Sequence, residues 1–110
     1  MVVQSDAFRV TVGRALGRVV VTLHGELDTV AAPVLQSSLT DLIEEQGNLD
    51  VIIDLAKLEF IDSQGLSVLV AGDRMAKERG GCLTLSAPPS RVYKVFEITG
   101  LDQHFTMTQT

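Results

Sequence analysis

The sequence predicts a small mixed α/β fold: a β-sheet whose first strand is antiparallel, whose remaining strands are largely parallel, and whose helices lie mainly on one face. Three observations lead to this prediction. Two strand-like segments joined by a short glycine-containing turn open the chain, apolar runs typical of strands then alternate with segments of helical periodicity, and Gly or Pro clusters separate these segments. Strands that alternate with helices pair in parallel through crossover connections.

The bulk composition predicts a single soluble domain spanning residues 1–110. The chain is 45% hydrophobic and 21% charged, with a net charge of −5 and an isoelectric point near 4.8. An acidic chain is poorly suited to nucleic acid or to anionic lipid, both of which attract clustered Lys and Arg. The one cysteine, Cys82, excludes an internal disulfide and a Cys-based metal cluster, and its expected state is a buried, inert thiol. We therefore expect a cytoplasmic protein with no direct contact to nucleic acid or membrane.

The N-terminal quarter predicts an antiparallel hairpin. Phe8, Val10 and Val12 alternate with polar residues, as in a half-buried strand. The segment GRALG, residues 13–17, supplies glycines for a turn, and RVVVTLHG, residues 18–25, forms the second strand. So short a link between two strands permits only antiparallel pairing.

The next segment predicts a helix that packs on the sheet. Its apolar residues Leu35, Leu39, Leu42 and Ile43 recur at the spacing of one helical face, and Gly47 is a suitable C-terminal stop. Four further elements follow in order: a strand in LDVIIDLA (49–56), a helix over about 64–79, a strand in CLTLSA (82–87), and a helix in RVYKVFEIT (91–99), with HFTM (104–107) as a short last strand.

The corner FIDSQGLS, residues 60–67, is where a buried strand gives way to a polar turn. Ligands of open α/β sheets gather beyond the C-terminal ends of the strands, where GELDT (25–29) and KLEFIDSQG (57–65) both lie. Ser63 has three interpretations there: a helix N-cap, a nucleophile, or a modified residue. His24 lies toward the same edge and is the candidate base for the nucleophile.

Catalysis and cofactor binding find little support in the motifs. Ser63 is not within a G-x-S-x-G elbow. The sequence contains neither of the glycine-rich patterns that bind phosphate groups, G-x-x-x-x-G-K-[ST] and G-x-G-x-x-G. Asp28, Asp62 and Asp73 lack the spacing of a metal-binding loop. We therefore expect no catalytic residue, no metal and no cofactor, and a protein that is not an enzyme.

Three segments together resemble one known family. These are VVVTLHGELDTVAAPVLQSSL (19–39), VIIDLAKLEFIDSQGLSVLV (51–70) and APPSRVYKVFEITGLDQHF (87–105). They resemble STAS domains, and especially the bacterial anti-sigma factor antagonists. The resemblance extends over about residues 8–107, and the succession of G-E-L-D, D-S-x-G-L and T-G-L-D is more specific than any one of them.

The resemblance implies a phosphorylation-controlled binding protein. In this family the Ser or Thr of D-[ST]-x-G-L is phosphorylated by a partner that is both a kinase and an anti-sigma factor, so the implied acceptor is Ser63. The unmodified protein would bind this anti-sigma factor kinase, and phosphorylation would release it and so regulate transcription by a sigma factor. A metal-dependent serine phosphatase would reset the switch, and the protein itself would be a monomer or weak homodimer. The implied partner-binding residues are Asp28, Asp62, Ser63, Gln64, Gly65 and Leu66.

Other functions stay open at this point. A STAS scaffold in a lipid-transport or stress-signalling complex needs no phosphorylation. A small hydrolase would use Ser63 with His24, and nucleotide binding is a lesser variant. Gln64 stands where many relatives have Ser or Thr, which removes one competing hydroxyl. Ser67, one turn inside the helix, is a weaker acceptor candidate.

Overall fold

The computed structural model describes residues 2–5 and 7–109, and side chains from residue 7 onward. Residues 1 and 110, the ends of the expected domain, lie outside the described part. The described chain forms a seven-stranded sheet with three α-helices. The strands are β1 (Val2–Ser5), β2 (Phe8–Ala15), β3 (Arg18–Leu27), β4 (Asp50–Asp54), β5 (Leu58–Ile61), β6 (Cys82–Ser86) and β7 (Thr106–Thr108). The helices are α1 (Ala32–Thr40), which continues into a π-helical turn (Asp41–Glu45), α2 (Ser63–Glu78), and α3 (Ser90–Thr99), which is followed by a 3-10 turn (Leu101–Gln103).

The sheet has the predicted mixed topology. Its strand order is β1-β2-β3-β4-β6-β7, with β5 paired to β3 beyond the end of the β3–β4 pairing. The β1–β2 and β2–β3 pairs are antiparallel, and every later pair is parallel. The predicted fold class is therefore confirmed, with two strands added that the sequence pattern had not indicated, β1 and β5.

Side-chain alternation explains why the helices cover one face. In β3, Val19, Val21 and Leu23 are buried, whereas the intervening side chains are half-exposed. The same alternation recurs in β4 and β6, so the buried side chains of neighbouring strands line up in register beneath α1 and α2. The predicted apolar stripe is buried in this core: Leu35 and Leu39 lie in α1, and Leu42 and Ile43 lie in the π-helical turn that continues it.

Left-handed backbone conformations end the helices where the sequence offers glycine. Gly47, Gly80 and Gly100 have φ values of 71°, 83° and 78°, each just after a helix.

Cys82 departs from expectation, because its side chain is exposed rather than buried. It opens β6 on the face away from the helices, where its Sγ lies 3.8 Å from Asp50 Oδ1.

Candidate functional site

The two polar loops predicted to share one edge of the sheet do meet there. Strand β5 pairs in parallel with the end of β3, so that Leu27 lies beside Ile61. The backbone N–H of Asp62 donates to the carbonyl of Leu27 at 3.2 Å, and Thr29 Oγ1 donates to Asp62 Oδ2 at 3.4 Å. The loop after β3 and the corner after β5 are therefore joined by both backbone and side-chain hydrogen bonds.

Asp62, and not Ser63, caps helix α2. Its backbone is extended, with φ −113° and ψ −174°, and its Oδ1 accepts from the N–H groups of both Gln64 and Gly65 at 3.0 Å. An N-cap side chain of this kind satisfies amides that the first helical turn leaves without partners. The interpretation of Ser63 as the capping residue was wrong, because the aspartate one position earlier already occupies that role.

Ser63 is consequently an exposed first residue of α2 with an available hydroxyl. Among the side chains of residues 7–109, none makes a hydrogen bond to Ser63 Oγ. Its neighbour one turn along differs, since Ser67 Oγ donates to the Ser63 carbonyl at 2.9 Å. Of the two serines at the start of α2, Ser63 is the one whose hydroxyl is not already committed.

Gly65 seats the first turn of α2 directly on the sheet. A Cβ at this position would lie 2.7 Å from both Leu27 Cγ and the Leu27 carbonyl oxygen, and 3.0 Å from Ile61 Cγ1. Such approaches are shorter than real Cβ contacts, so only glycine fits. Leu66 is likewise buried in the core. Gly65 and Leu66 therefore shape the corner from beneath, whereas Ser63 and Gln64 present exposed side chains.

Asp28 holds the neighbouring loop in a turn of the same kind. Its Oδ1 accepts from the N–H groups of Val30 at 3.1 Å and Ala31 at 2.9 Å, and its carbonyl accepts from the Ala32 N–H at 2.8 Å. Asp28 and Asp62 are both half-buried. The two carboxylates thus organise the loops in addition to carrying the charge expected of a contact surface.

Two exposed apolar side chains at this edge of the sheet, one in the loop after β3 and one in β5, were not predicted as site residues. Val30 is 73% exposed and Phe60 is 48% exposed. No sequence signal identifies either one, because each has an apolar as well as a polar neighbour in the chain. Two exposed acids adjoin Phe60: Glu59 precedes it in β5, and Glu26 is its register partner in β3. An edge that combines acids with exposed apolar groups has the mixed chemistry of protein interfaces.

Small residues form the outer surface of α2 between two cavities. A cavity of about 420 Å³ is lined by Ser63, Leu66, Ser67, Val70, Ala71, Arg74 and Leu101. A second, of about 440 Å³, lies toward α1 and is lined by Thr29, Ala32, Pro33, Gln36, Gln64, Ser67, Val68 and Ala71. Both open beside the exposed Ser67 and Ala71, while Val68 and Leu69 pack into the core.

A family model described as the STAS domain matches residues 9–110. The chain belongs to the STAS domain family. Among curated relatives, the anti-sigma-B factor antagonist of Bacillus subtilis (strain 168) is 40% identical over 81 residues, which cover 74% of this STAS domain and 72% of that protein. The anti-sigma F factor antagonist of Paenibacillus polymyxa is 25% identical over 85 residues, covering 77% and 73% of the two chains.

Solved structures of similar proteins share the whole architecture. An anti-sigma factor antagonist from Mycobacterium paratuberculosis superimposes on this STAS domain with a TM-score of 0.85 and 28% identity, covering 97% of this chain and 90% of that one. The Bacillus protein SpoIIAA is known in two states. Its unphosphorylated form matches with a TM-score of 0.80 at 26% identity, covering 92% and 88% of the chains, and its phosphorylated form with 0.72 at 25%, covering 92% and 91%.

His24 is not arranged as a base for Ser63 in this STAS domain. Its Nδ1 lies 3.1 Å from Arg9 Nη2 and its Nε2 lies 3.5 Å from Thr11 Oγ1, so both ring nitrogens face strand β2. Partial burial, followed by the positive charges of Arg9 and Lys57, lowers the pKa of His24. A serine hydrolase instead needs the imidazole hydrogen-bonded to the nucleophile.

Within the described residues, no three His, Cys, Asp or Glu side chains converge as a metal site would require. None of the described helices has the length and apolar character needed to cross a bilayer.

Proposed function

We propose that this STAS domain is an anti-sigma factor antagonist controlled by phosphorylation of Ser63. Unmodified, it binds an anti-sigma factor that is also a serine kinase, and phosphorylation of Ser63 releases that partner. The observation that carries the proposal is the exposed Ser63 hydroxyl, which has no partner among the described side chains, at a corner that Asp62 already caps.

The arrangement of hydrogen bonds supports a switch that acts at the contact surface. A phosphoserine carries about −1.5 to −2 charges at pH 7. At many helix N-termini, free backbone N–H groups would bind such an anion. Here the Gln64 and Gly65 amides already donate to Asp62. The phosphate on Ser63 therefore stays on the surface, next to a carboxylate.

Phosphorylation adds negative charge to an edge that already carries two carboxylates, and a docked partner would have to cover these like charges together. Asp62 is adjacent to Ser63, and Asp28 lies in the loop that Thr29 joins to it. Two unit charges about 6 Å apart at an effective dielectric constant of about 20 repel by roughly 3 kcal/mol. Docking of a partner excludes the water that screens this repulsion in the free protein, and an added cost of that size on binding corresponds to about a hundredfold loss of affinity. No rearrangement of the fold is needed for release.

The same exposure supports reversal by a second enzyme. A phosphate that is not enclosed by backbone amides remains accessible to hydrolysis. The proposed partner for this step is a metal-dependent serine phosphatase. Together, kinase and phosphatase set the fraction of protein able to bind the anti-sigma factor.

The first test maps the phosphorylation site. The protein is incubated with a kinase-type anti-sigma factor and ATP, and the product is analysed by mass spectrometry. We expect one phosphate, abolished by Ser63→Ala and retained by Ser67→Ala, because the Ser67 hydroxyl is bonded to the backbone. Phosphate on Ser67 alone, or on neither serine, would contradict the proposal.

The second test measures affinity for the same anti-sigma factor by calorimetry. Ser63→Glu is expected to weaken binding by about a hundredfold. Ser37→Glu is the matched control, since Ser37 is an exposed serine on α1 and receives the same charge. Equal binding by wild type and Ser63→Glu would instead indicate a scaffold that phosphorylation does not control.

A further inference from the structure

The turn between β2 and β3 contains a residue whose type is unfavourable for its backbone conformation. Ala15 pairs with Arg18, so Leu16 and Gly17 form a two-residue turn, with φ values of 53° and 79°. Both positive φ values are those of a type I′ turn, for which Asn-Gly is the preferred pair. A branched, bulky residue at positive φ is a genuine outlier. Leu16 is therefore not the residue that turn formation favours.

Solvation does not favour Leu16 either. Its side chain is fully exposed, at 102%, and makes the hairpin tip apolar. The exposed arginines Arg14 and Arg18 flank it, and Arg14 Nη2 donates to Asn48 Oδ1 at 3.3 Å. Backbone strain that neither folding nor solvation explains points to a contact made in another state. We call Arg14, Leu16 and Arg18 the hairpin tip.

The hairpin tip and the acidic edge lie at opposite ends of the molecule. Strand β3 begins at Arg18, which belongs to the hairpin tip, and ends at Leu27, which lies beside the Ser63 corner. At that far end, Phe60 is exposed, with Glu26 as its register partner in β3 and Glu59 as the preceding residue of β5. We call Glu26, Glu59 and Phe60 the acidic edge. One end thus presents an exposed apolar residue with two arginines close to it in the hairpin, and the other an exposed apolar residue with two glutamates close to it in β3 and β5.

We propose that the hairpin tip of one copy of this chain docks on the acidic edge of a second copy. Leu16 packs on Phe60, while Arg14 and Arg18 lie beside Glu59 and Glu26. The occupant is a second copy because the two surfaces are complementary in charge and both expose an apolar side chain. Opposite ends that bind each other make a heterologous contact, which builds head-to-tail chains instead of a closed two-fold dimer.

Self-association would compete with the binding of another protein at the Ser63 corner. Glu59 and Phe60 precede Asp62 and Ser63 by only a few residues, so a docked tip covers part of the surface around Ser63. This consequence rests on the proposed function, whereas the self-association itself does not. Sedimentation of the purified protein, with no kinase present, tests the self-association separately.

The first variant separates docking from folding. We expect wild type to show concentration-dependent association by sedimentation velocity, weakened by added salt. Leu16→Asn removes the apolar group and is expected to lower the association constant roughly 10- to 100-fold, the effect of leaving one leucine unburied. The same variant should melt at a higher temperature, because Asn-Gly suits the turn. Wild type that stays monomeric up to millimolar concentration would overturn the proposal.

A charge exchange tests the identity of the two surfaces. The double variants Arg14→Glu/Arg18→Glu and Glu26→Arg/Glu59→Arg should each fail to self-associate, since each carries like charges on both surfaces. An equimolar mixture should associate again, because each tip now meets an edge of opposite charge. Self-association that survives in either variant alone, or a mixture that remains monomeric, would show that these surfaces do not bind each other.

Discussion

Two turns held by aspartates lie side by side in this molecule. They differ in whether the hydroxyl group that follows the aspartate is hydrogen-bonded. Asp28 and Asp62 each accept two backbone N–H groups through Oδ1, and each is followed by a hydroxyl residue, Thr29 or Ser63. Thr29 Oγ1 donates to Asp62, whereas Ser63 Oγ has no partner among the described side chains. In both turns the aspartate accepts the backbone N–H groups, so the hydroxyl residue after it is not needed as a cap. Thr29 uses its hydroxyl to bond Asp62, and Ser63 leaves its hydroxyl without a partner among the described side chains.

The largest expected effect on stability comes from Gly65, which lies beneath the Ser63 turn. Gly65→Ala places a methyl group 2.7 Å from the Leu27 carbonyl oxygen, which the backbone cannot easily relieve. We expect it to lower the free energy of unfolding by about 3 kcal/mol, the upper range for overpacking. Urea denaturation followed by circular dichroism measures this.

Gly72→Ala is the matched control for that variant. Gly72 is also buried in α2, but its added Cβ would come too close only to the flexible end of Leu39, at 2.9 Å from Cδ1, and would be in ordinary contact with Leu83 Cδ1 at 3.6 Å. Alanine also favours helix by about 1 kcal/mol relative to glycine. A loss at Gly72 equal to that at Gly65 would mean that helix packing in general, and not the seating of the corner, sets the cost.

The two aspartates are expected to differ in their contribution to stability. Asp62→Ala should cost about 2 kcal/mol, because it removes the cap of a 16-residue helix together with the bond from Thr29. Asp28→Ala should cost about 1 kcal/mol, since it loses only bonds within its own loop. Chemical denaturation of both variants checks the order, and a larger loss for Asp28→Ala would reverse the comparison.

The bond that joins the turns is expected to be weak. Thr29→Val keeps the side-chain shape and removes a hydrogen bond of 3.4 Å, a length at which such bonds contribute little. We expect a change of about 0.5 kcal/mol in the free energy of unfolding. Hydrogen exchange at the Val30 and Ala31 amides would show whether the loop loosens, and a loss above about 1.5 kcal/mol would make this bond a main support of the edge.

Ser63→Ala is expected to have the smallest effect on stability. A serine that caps a helix typically contributes about 1 kcal/mol. Since Asp62 is the cap here, the change should be within about 0.5 kcal/mol of zero. Thermal unfolding of the variant beside Asp62→Ala measures the difference, and a loss comparable to that of Asp62→Ala would return the capping role to Ser63.

The sequence predicts most of this fold because its patterns are local. The alternation in β2 and the stripe of α1 each depend on residues a few positions apart, and both are confirmed. Strand β5 was missed because Leu58 and Ile61, its two buried residues, do not alternate, and β3 shifts register between Gly25 and Glu26 opposite it. Its pairing depends on a tertiary contact that no short pattern encodes.

The site was predicted as a location but not in its hydrogen bonding. Asp62 and Ser63 are both good N-caps by residue type, so composition alone cannot choose between them. The extended backbone at Asp62, set by the hydrogen bond from its N–H to Leu27, makes the choice. The exposure of Phe60 and Val30 depends on what surrounds them in space. The roles of Asp28, Gln64 and the other expected contact residues remain predictions.

The absence of a side chain at Gly65 has a consequence for recognition. Because the start of α2 rests on Leu27 and Ile61 with no space between, the Ser63 turn has one available position relative to the sheet. A binding partner therefore meets a surface that is already ordered and loses little conformational entropy in engaging it. Under the proposed switch, the phosphate on Ser63 would change the affinity of a surface that is already ordered, and no refolding of the corner would be required.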